Sequence, residues 1–312
     1  MVKNDKIASV LQEISQVVVG KDEVLELIML AILVDGHVLI EDYPGLAKTL
    51  IAKSFAKALG LNFKRIQFTS DLLPSDITGS FVLNRETSQF EFRKGPIFTN
   101  ILLADEINRA PPRTQSALLE AMQERQVSVE GNTYLLERPF IVIATQNPIE
   151  YEGTYPLPEA QLDRFIMKIS VGYPKPEEEV EILSRRIKRM TDDFEIRAIL
   201  NAKEVLQLQT DVERIYIAED LKKYIVQIVN GTRNAPEVEV GASVRGSIAI
   251  LKLARAMAYS NARDFVTPDD IKRVAVPALR HRLILRTEYW LRGIKPDQII
   301  ERILNQVPVP KL

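Results

Sequence analysis

The 312-residue sequence contains no cysteine and only two histidines, His37 and His281. Without cysteine the chain can form no disulfide, no thiolate nucleophile and no cysteine-ligated zinc site. Two histidines also argue against a histidine-rich metal centre. This composition suits a reducing compartment, where disulfides are rare.

The sequence also lacks net charge and long apolar runs. Its 41 basic residues nearly cancel its 42 acidic ones, so no global field would hold it on DNA or on an anionic membrane. The longest apolar run, residues 27–34, is far shorter than the roughly 20 residues that a bilayer crossing needs. The charged N-terminus has no signal-peptide pattern. We therefore expect a cytoplasmic protein without membrane insertion, and a nucleic-acid partner is disfavoured.

Short apolar runs alternate with helical patterns from residue 38 onwards, which indicates an α/β domain with a mostly parallel sheet. Strands are predicted at residues 38–41, 64–68, 101–104, 140–145 and 166–170. The third and fourth are continuous apolar runs, the pattern of strands that are covered on both faces. Helices are predicted between the strands, as at residues 49–59 and 113–124.

A second domain, entirely helical, is predicted after Gly172. Pro174 and Pro176 break the preceding strand, and the acidic run that follows suits the first turn of a helix. We therefore assign residues 1–172 to the α/β domain and residues 173–312 to the helical one. The clearest helices are predicted at residues 220–230, 243–259, 268–279 and 296–306, with Thr267 as the N-cap of the third.

Two segments interrupt the alternation of strands and helices. Residues 80–92 alternate around a polar turn, and residues 126–136 place Glu130-Gly131-Asn132 between two alternating arms. Both patterns predict β-hairpins that are inserted into the α/β domain.

The segment VLIEDYPGLAKT, residues 38–49, runs from a strand through a turn into a helix. In a phosphate loop, backbone N–H groups surround the phosphates, a lysine reaches the β and γ oxygens, and a hydroxyl binds magnesium. Lys48 and Thr49 would take these roles. Asp42 and Ala47 stand where the general pattern has glycine, and a carboxylate at position 42 should disfavour phosphate unless it points away. The alternative is an ordinary turn with a surface lysine.

Polar residues follow the next two apolar strands. The strand at residues 101–104 ends in Asp105 and Glu106, at the edge where open α/β sheets bind ligands. Asp105 is predicted to hold Mg²⁺, and Glu106 to polarise the water that attacks the γ-phosphoryl group. Asn147 could orient the same water. The alternatives are solvated carboxylates and an ordinary Asn-Pro turn.

Two arginines are candidates to complete such a site. Arg164 lies just before the fifth predicted strand, and Arg245 opens a helix of the second domain. A guanidinium brings fixed charge and a planar fork of donors to the transition-state oxygens of phosphoryl transfer. Most arginines form surface ion pairs instead, and the residue pattern alone does not single out these two.

Neither histidine is interpreted as catalytic. His37 precedes the first predicted strand and is interpreted as a hydrogen-bonding residue at the strand start. His281 lies in a basic patch with Arg280, Arg282 and Arg286. That patch could contact a partner, an acidic neighbour or solvent, and solvent is the default interpretation.

These motifs, taken together, resemble the MoxR family of AAA+ ATPases in identity and order. The segments that carry the resemblance are VVVGKDEV (17–24), the lysine loop, LLADEINRAPPRTQSALLEAMQE (102–124), ATQNP (144–148), LPEAQLDRF (157–165) and GASVRGS (241–247). FTSDLLPSDITGS (68–80) and TPDDIKRVAVPALRHRL (267–283) are similar to further segments of that family. The family usually has glycine where this chain has Asp42, and proline where it has Val244.

The resemblance implies an αβα nucleotide-binding domain with a five-stranded parallel sheet and a helical lid, assembled into a ring, usually a hexamer. ATP and Mg²⁺ would bind at subunit boundaries. Asn147 would be the first sensor, Arg164 the finger offered to the neighbouring subunit, and Arg245 the second sensor. The hairpins would be the helix-2 insert and the pre-sensor-1 hairpin, candidates for moving a client. The nucleotide would be contacted by Gly20, Lys21, Asp42, Tyr43, Pro44, Gly45, Leu46, Ala47, Lys48, Thr49 and Leu50.

Three functions stay open at this point. The first is an ATP-driven remodeller of protein clients or complexes, often associated in this family with cofactor insertion and a von Willebrand factor type A partner. The second is a DNA-acting motor, against which the balanced charge argues. The third is a scaffold that binds nucleotide without hydrolysing it. Asp42 favours the scaffold, and the intact hydrolytic residues argue against it.

Overall fold

A computed structural model describes residues 2–148 and 153–310 of the chain. The strands, numbered along the chain, are β1 (Val38–Glu41), β2 (Phe63–Gln67), β3 (Gly79–Asn84), β4 (Gln89–Lys94), β5 (Ile101–Asp105), β6 (Gln126–Val129), β7 (Asn132–Leu135), β8 (Ile141–Gln146), β9 (Met167–Ile169), β10 (Val238–Val240) and β11 (Ile284–Leu285). The helices are α1 (Asp5–Ser15), α2 (Asp22–Leu33), α3 (Lys48–Ala58), α4 (Pro74–Thr78), α5 (Pro112–Glu124), α6 (Glu159–Leu162), α7 (Pro176–Arg189), α8 (Ala202–Glu213), α9 (Glu219–Asn234), α10 (Val244–Ser260), α11 (Pro268–Leu279), α12 (Thr287–Leu291) and α13 (Pro296–Gln306).

A parallel sheet of five strands forms the centre of the fold, in the order β2-β5-β8-β1-β9. Alternate residues of its strands enter two hydrophobic cores, one on each face. Leu103 and Ile143 belong to one core, and Leu102 and Val142 to the other. Burial on both faces explains why β5 and β8 are continuous apolar runs. The five predicted strands are confirmed, with ends displaced by one residue at most.

The predicted helical lid is confirmed, and it shares its core with one face of the sheet. α2 is buried on most sides because it packs against α8 and α10. α9 extends beyond the predicted end through Gly231, where a β-carbon would come within 2.7 Å of Ile303 on α13. The glycine therefore serves close helix packing and does not end the helix. No described helix combines the length and apolar character that crossing a membrane requires.

A small antiparallel ribbon within the lid was not predicted. β10 pairs with β11 across a register shift at Val238 and Val240. Strands of three and two residues are too short to show the alternation by which strands are recognised in sequence. The assignment of residue 172 as the domain boundary stays a prediction.

Both predicted hairpins are present. β3 pairs with β4, and β6 pairs with β7. The rings of Phe92 on β4 and Tyr134 on β7 are stacked with their centroids 4.1 Å apart, so the hairpins contact each other. Phe90 and Leu135 remain 71% and 77% exposed on this pair of insertions.

His37 is a buried structural residue, as predicted. Its Nδ1 accepts a hydrogen bond from the N–H of Val142 at 2.9 Å, so its Nε2 donates to the carbonyl of Met122 at 3.0 Å. Burial and the nearby Arg125 lower the pKa of His37 to about 3. The ring therefore joins β8 to α5 as a neutral imidazole.

The prediction that the patch around His281 faces solvent is wrong for His281 and Arg282. His281 is buried with Nε2 3.1 Å from the carbonyl of Phe165, and burial holds its pKa well below the ordinary value. The side chain of Arg282 is only 3% exposed and is ion-paired with Asp163. Both are buried because the end of α11 packs against β9.

The two buried histidines should make the fold sensitive to mild acid. In the unfolded chain both imidazoles titrate near pH 6.5, whereas in the fold both stay neutral to lower pH. The unfolded state therefore binds more protons below about pH 6.5. The free energy of unfolding should fall between pH 6.5 and 5 by up to about 1.4 kcal/mol per pH unit for each histidine. Denaturant titrations across this range would measure the slope.

His281→Gln should remove about half of that slope, because one of the two histidines is gone. The change of slope with pH is the readout, since the substitution also lowers stability at every pH. A slope that is the same with and without His281 would contradict the assignment.

Candidate nucleotide site

The carboxyl ends of the five parallel strands meet at one edge of the sheet, where ligands of such sheets bind. β1 runs into residues 42–47, β5 ends in Asp105 and is followed by Glu106, and β8 leads to Asn147. Because β8 lies between β5 and β1, these groups are neighbours. The strand order thus brings together the predicted phosphate, magnesium and water-positioning residues.

The turn between β1 and α3 has the backbone shape of an anion-binding loop. Gly45 and Ala47 are both left-handed, with φ of 82° and 54°. Lys48 and Thr49 follow as the first residues of α3, whose first N–H groups lack partners within the helix. A left-handed alanine costs about 1–2 kcal/mol more than a glycine would. Of the other predicted contacts, Tyr43 and Pro44 are exposed, Leu46 is buried and Leu50 is half-buried.

Lys48 lies across its own loop. Its Nζ donates to the carbonyl oxygens of Asp42 at 2.8 Å and of Tyr43 at 3.0 Å. Partial burial lowers the pKa of Lys48, while the negative charges of Asp105, Asp42 and Glu106 act in the opposite direction. The ammonium group is therefore held by two neutral carbonyls, which phosphate oxygens can replace.

The carboxylate of Asp42 joins the phosphate loop to the segment that follows β9. Its Oδ1 accepts from the N–H of Tyr43, and its Oδ2 accepts from the Ser170 hydroxyl and from the N–H groups of Val171 and Gly172, at 2.6–2.9 Å. Asp42 is 5% exposed. Four donors therefore engage the carboxylate, although its charge still acts on Lys48. Its role is to fasten the loop to the segment that follows β9.

Asp105 is held in a network with two residues of neighbouring strands. Its Oδ1 accepts from the Thr145 hydroxyl at 2.5 Å, and its Oδ2 accepts from Nε and Nη2 of Arg65 at 3.1 and 2.7 Å. The Thr145 oxygen also accepts from the N–H of Glu106 at 2.8 Å. One buried hydroxyl on β8 thus fixes both acidic residues.

Glu106 adopts a left-handed backbone with φ of 56°, which is unusual for a residue with a side chain. Its Oε2 accepts from Nε2 of Gln67 at 2.7 Å and lies 3.1 Å from Nη1 of Arg109. Strained backbone of this kind is concentrated at functional sites. The carboxylate is thus held at the sheet edge by side chains from β2 and from the turn after β5.

The donor set fits a magnesium ion that is bound mainly by phosphate and water. The Thr49 hydroxyl and the Asp105 carboxylate offer the hard oxygen ligands that Mg²⁺ prefers, and nucleotide sites commonly supply only one or two carboxylates. Among the described residues there is no cluster of three histidine, aspartate or glutamate side chains that could hold a metal by itself. Arg65 competes with such an ion for Asp105.

A cavity of about 660 Å³ lies beside the segment that follows β9. Gly20 and Lys21 line it, together with Ser170 and Val171 from the segment that Asp42 binds. Its apolar walls include Val24, Leu27, Ile169, Val276 and Pro277. Charged side chains line it as well, among them Glu23, Arg273 and Arg280. The structure thus brings Gly20 and Lys21 to the β9 side of the loop, beside a cavity of mixed polar and apolar lining.

Arg164 and Arg245 lie together at a different place. Both line a second cavity of about 250 Å³, which shares no residue with the phosphate loop or the acidic pair. Asp163 organises it: the carboxylate accepts from the Ser243 hydroxyl at 3.1 Å and from Arg282 at 2.7 Å, and lies 3.5 Å from Arg245. Within the described residues, the predicted site is therefore divided into a phosphate half and an arginine half.

Several residues of these networks were not predicted. Thr145 is the polar residue that ends an apolar strand, and its position next to β5 could have indicated a contact with Asp105. Arg65 and Gln67 are two residues apart on β2, so their side chains lie on the same face of the sheet. This spacing indicates contacts with Asp105 and Glu106 only once β2 is known to border β5. Asp163 directly precedes the predicted finger Arg164. Its ion pairs with Arg245 and Arg282 could not be predicted without the position of the lid.

Comparison with known proteins decides the family. The description "ATPase family associated with various cellular activities (AAA)" matches residues 37–167, and "AAA lid domain" matches residues 230–303. The chain is 44% identical to Chaperone MoxR1 of Mycobacterium tuberculosis over 96% of this chain and 81% of that protein. The chain belongs to the MoxR family of AAA+ ATPases.

Two further similarities extend over nearly the whole length. An uncharacterized protein of Bacillus subtilis, YeaC, is 49% identical over 96% of this chain and 93% of its own. A solved structure from Cytophaga hutchinsonii is 46% identical and superposes with a TM-score of 0.93 over 98% of this chain and 96% of that one. MoxR-family membership confirms the αβα domain with a helical lid.

One departure from the usual MoxR pattern has a simple structural account. Val244 is the first residue of α10 and is 67% exposed. Proline is well accepted at the first position of a helix, where its missing N–H costs nothing. Valine and proline are therefore interchangeable here without displacing Arg245.

We expect Asp42→Ala to lower the free energy of unfolding by about 2–4 kcal/mol, because it leaves buried N–H groups of Val171 and Gly172 without an acceptor. Asp42→Asn keeps one oxygen for those donors and should cost less. Denaturant unfolding of both variants measures the difference. A loss below about 0.5 kcal/mol for Asp42→Ala would show that the carboxylate does not fasten the loop.

Proposed function

We propose that this chain hydrolyses ATP with Mg²⁺ in a ring, most simply a hexamer, and that it uses the reaction to remodel or mature client proteins. The division of the site carries the proposal. Lys48, Thr49, Asp105, Glu106 and Asn147 share one sheet edge, whereas the two candidate arginines share a cavity elsewhere. A neighbouring subunit would bring the arginine half to the phosphate half.

Nucleotide binding is assigned to the phosphate half. The loop from Asp42 to Leu50 would surround the phosphates with N–H groups, and Lys48 would exchange its carbonyl partners for phosphate oxygens. The base would lie beside Gly20 and Lys21 in the adjoining cavity. Thr49 and Asp105 would hold Mg²⁺, which supplies positive charge to the phosphoryl oxygens.

Hydrolysis needs a base near the γ-phosphoryl group, and Glu106 is the candidate. Its carboxylate is shared by Gln67 and Arg109, so polarising a water requires it to exchange those bonds. Asn147, which is 5% exposed at the end of β8, would orient the same water by donating to a phosphate oxygen. Arg164 and Arg245 of the adjacent subunit would stabilise the charge of the transition state.

The client is proposed to be a protein. A relative that is 44% identical bears the name of a chaperone. The stacked hairpins of this chain expose Phe90 and Leu135, side chains that can contact the apolar segments of an immature protein. The family adds two more specific expectations to this proposal. One is a partner with a von Willebrand factor type A domain, and the other is insertion of a metal cofactor into the client.

The scaffold alternative loses support because the Asp42 carboxylate is engaged by four donors of the protein itself. The DNA-motor alternative is disfavoured because the 41 basic and 42 acidic residues of the chain nearly cancel.

Two substitutions should separate binding from turnover. Lys48→Ala should weaken ATP binding by at least about tenfold, because a charge-assisted contact to the phosphates is lost. Glu106→Gln should bind ATP almost normally but lower kcat by about 10²–10⁴, because the amide cannot accept a proton from water. Equilibrium binding of a fluorescent ATP analogue and steady-state ATPase assays would measure both.

Lys53→Ala is the matched control for Lys48→Ala, since Lys53 lies on the same helix and packs near the Phe194 ring. It should leave nucleotide binding unchanged. Equal loss of binding in Lys48→Ala and Glu106→Gln would contradict the division of roles, and turnover that survives Glu106→Gln would remove the glutamate from the reaction.

A further inference from the structure

Arg65 binds the carboxylate that is assigned to the magnesium ion. Its Nε and Nη2 both donate to Oδ2 of Asp105, at 3.1 and 2.7 Å. Hydrogen bonds between two ionised groups are roughly twice as strong as those between neutral groups. Oδ1 of Asp105 is bound by the Thr145 hydroxyl at 2.5 Å, so Oδ2 is the oxygen that remains for a metal ion. Both contacts of Arg65 are made to that oxygen.

The orientation of Asp105 does not depend on Arg65. Asp105 is the last residue of β5, which pairs with β2 on one side and with β8 on the other. The hydroxyl of Thr145 fixes the carboxylate from β8. Two neighbouring strands therefore position Asp105, and the contribution of Arg65 is chiefly its charge.

The side chain of Arg65 is free to move, whereas that of Asp105 is not. Arg65 lies on β2, an edge strand of the sheet, and its side chain is 47% exposed against 12% for Asp105. Nη2 of Arg65 also donates to Oε1 of Gln67 at 2.7 Å. This neutral acceptor can keep hold of the guanidinium when the contact with Asp105 is given up, so Arg65 can move aside without being buried elsewhere.

The local charges explain why Asp105 needs a cation before any metal binds. Asp105 is a buried carboxylate next to Glu106, and a buried charge without a partner is costly. Among the negative charges that act on Lys48, that of Asp105 is the largest, but the Lys48 ammonium is bound to backbone carbonyls. Arg65 is therefore the cation that directly compensates Asp105.

We propose that Arg65 is a built-in competitor of Mg²⁺ at Asp105: it neutralises the carboxylate while no metal is bound, and it gives way when the metal arrives with the nucleotide. The inference rests on the proposed function, because it specifies how the metal enters that site. Two consequences follow. The protein should bind divalent cations only weakly without nucleotide, and Mg²⁺ should strengthen ATP binding less than it would beside an uncompensated carboxylate.

Arg65→Met tests the competition, because it keeps a long side chain and removes the charge. The dissociation constant of a fluorescent ATP analogue is measured in excess EDTA and again in saturating Mg²⁺, and the ratio of the two gives the coupling between metal and nucleotide. This ratio should rise at least about fivefold in Arg65→Met. Without metal the uncompensated Asp105 repels phosphate, and with metal no guanidinium has to be displaced.

A second measurement uses the metal alone. Mn²⁺ serves as a paramagnetic probe, and the loss of its free electron-spin-resonance signal reports binding to the protein without nucleotide. Arg65→Met should bind Mn²⁺ at least about fivefold more tightly than the wild type does, because the competing cation is gone. This readout is independent of ATP hydrolysis.

The matched control is Lys64→Met, which removes one positive charge from the adjacent exposed residue of β2. Successive side chains of a strand point to opposite faces, so Lys64 lies away from Asp105. Lys64→Met should leave both readouts within about twofold of wild type. Arg65→Lys should give intermediate values, because it keeps the charge but lacks the planar fork. If circular dichroism shows that Arg65→Met does not fold, Arg65→Lys carries the test.

The sign of the change separates the possible roles of Arg65. A ratio that falls in Arg65→Met would show that Arg65 positions Asp105 for the metal, and an unchanged ratio would show that the ion pair only stabilises the fold. Either result overturns the competition, as does an equal rise in Lys64→Met. By contrast, a wild type that binds the ATP analogue in neither condition would overturn the proposed function itself, whatever the variants show.

Discussion

The parallel order of the central sheet is the constraint on which the rest of the structure depends. Because β8 lies between β5 and β1, the Thr145 hydroxyl can bind Asp105 and position Glu106 while Asn147 stands beside the phosphate loop. On the far side of β1, the end of β9 supplies the three donors that fix Asp42. A loop with two left-handed residues is thereby supported from both sides without any ligand.

The same arrangement separates the arginines from the phosphate loop within one copy of the chain, as far as the structure describes it. Asp163, at the base of β9, draws Arg245 and Arg282 of the lid towards itself, and Arg164 follows it in the chain. The lid is therefore fixed with its arginines at a cavity of their own. Enzymes that transfer phosphoryl groups rely on positioned positive charge, so the division makes activity dependent on a neighbour in the proposed mechanism.

The sequence predicted the strands of the sheet and both hairpins because their apolar periods are strong and their turns are marked by polar or glycine residues. Lys48, Asp105, Glu106 and Asn147 follow strand ends, which is why the sequence could place them at one edge of the sheet; their roles stay predictions. The sequence did not predict the side-chain contacts that depend on packing between distant segments. The direction of the Asp42 carboxylate, the burial of His281 and Arg282, and the contact of Arg65 with Asp105 each require the tertiary arrangement.

The most direct test of the divided site is complementation between two inactive proteins, Arg164→Ala and Glu106→Gln. Some boundaries in mixed rings pair an intact Glu106 with an intact Arg164, so ATPase activity should rise above that of either protein alone. Subunit exchange must be verified in the same mixtures, for example by fluorescence energy transfer between labelled copies. Activity that stays at background in rings that have exchanged subunits would contradict a site shared between neighbours.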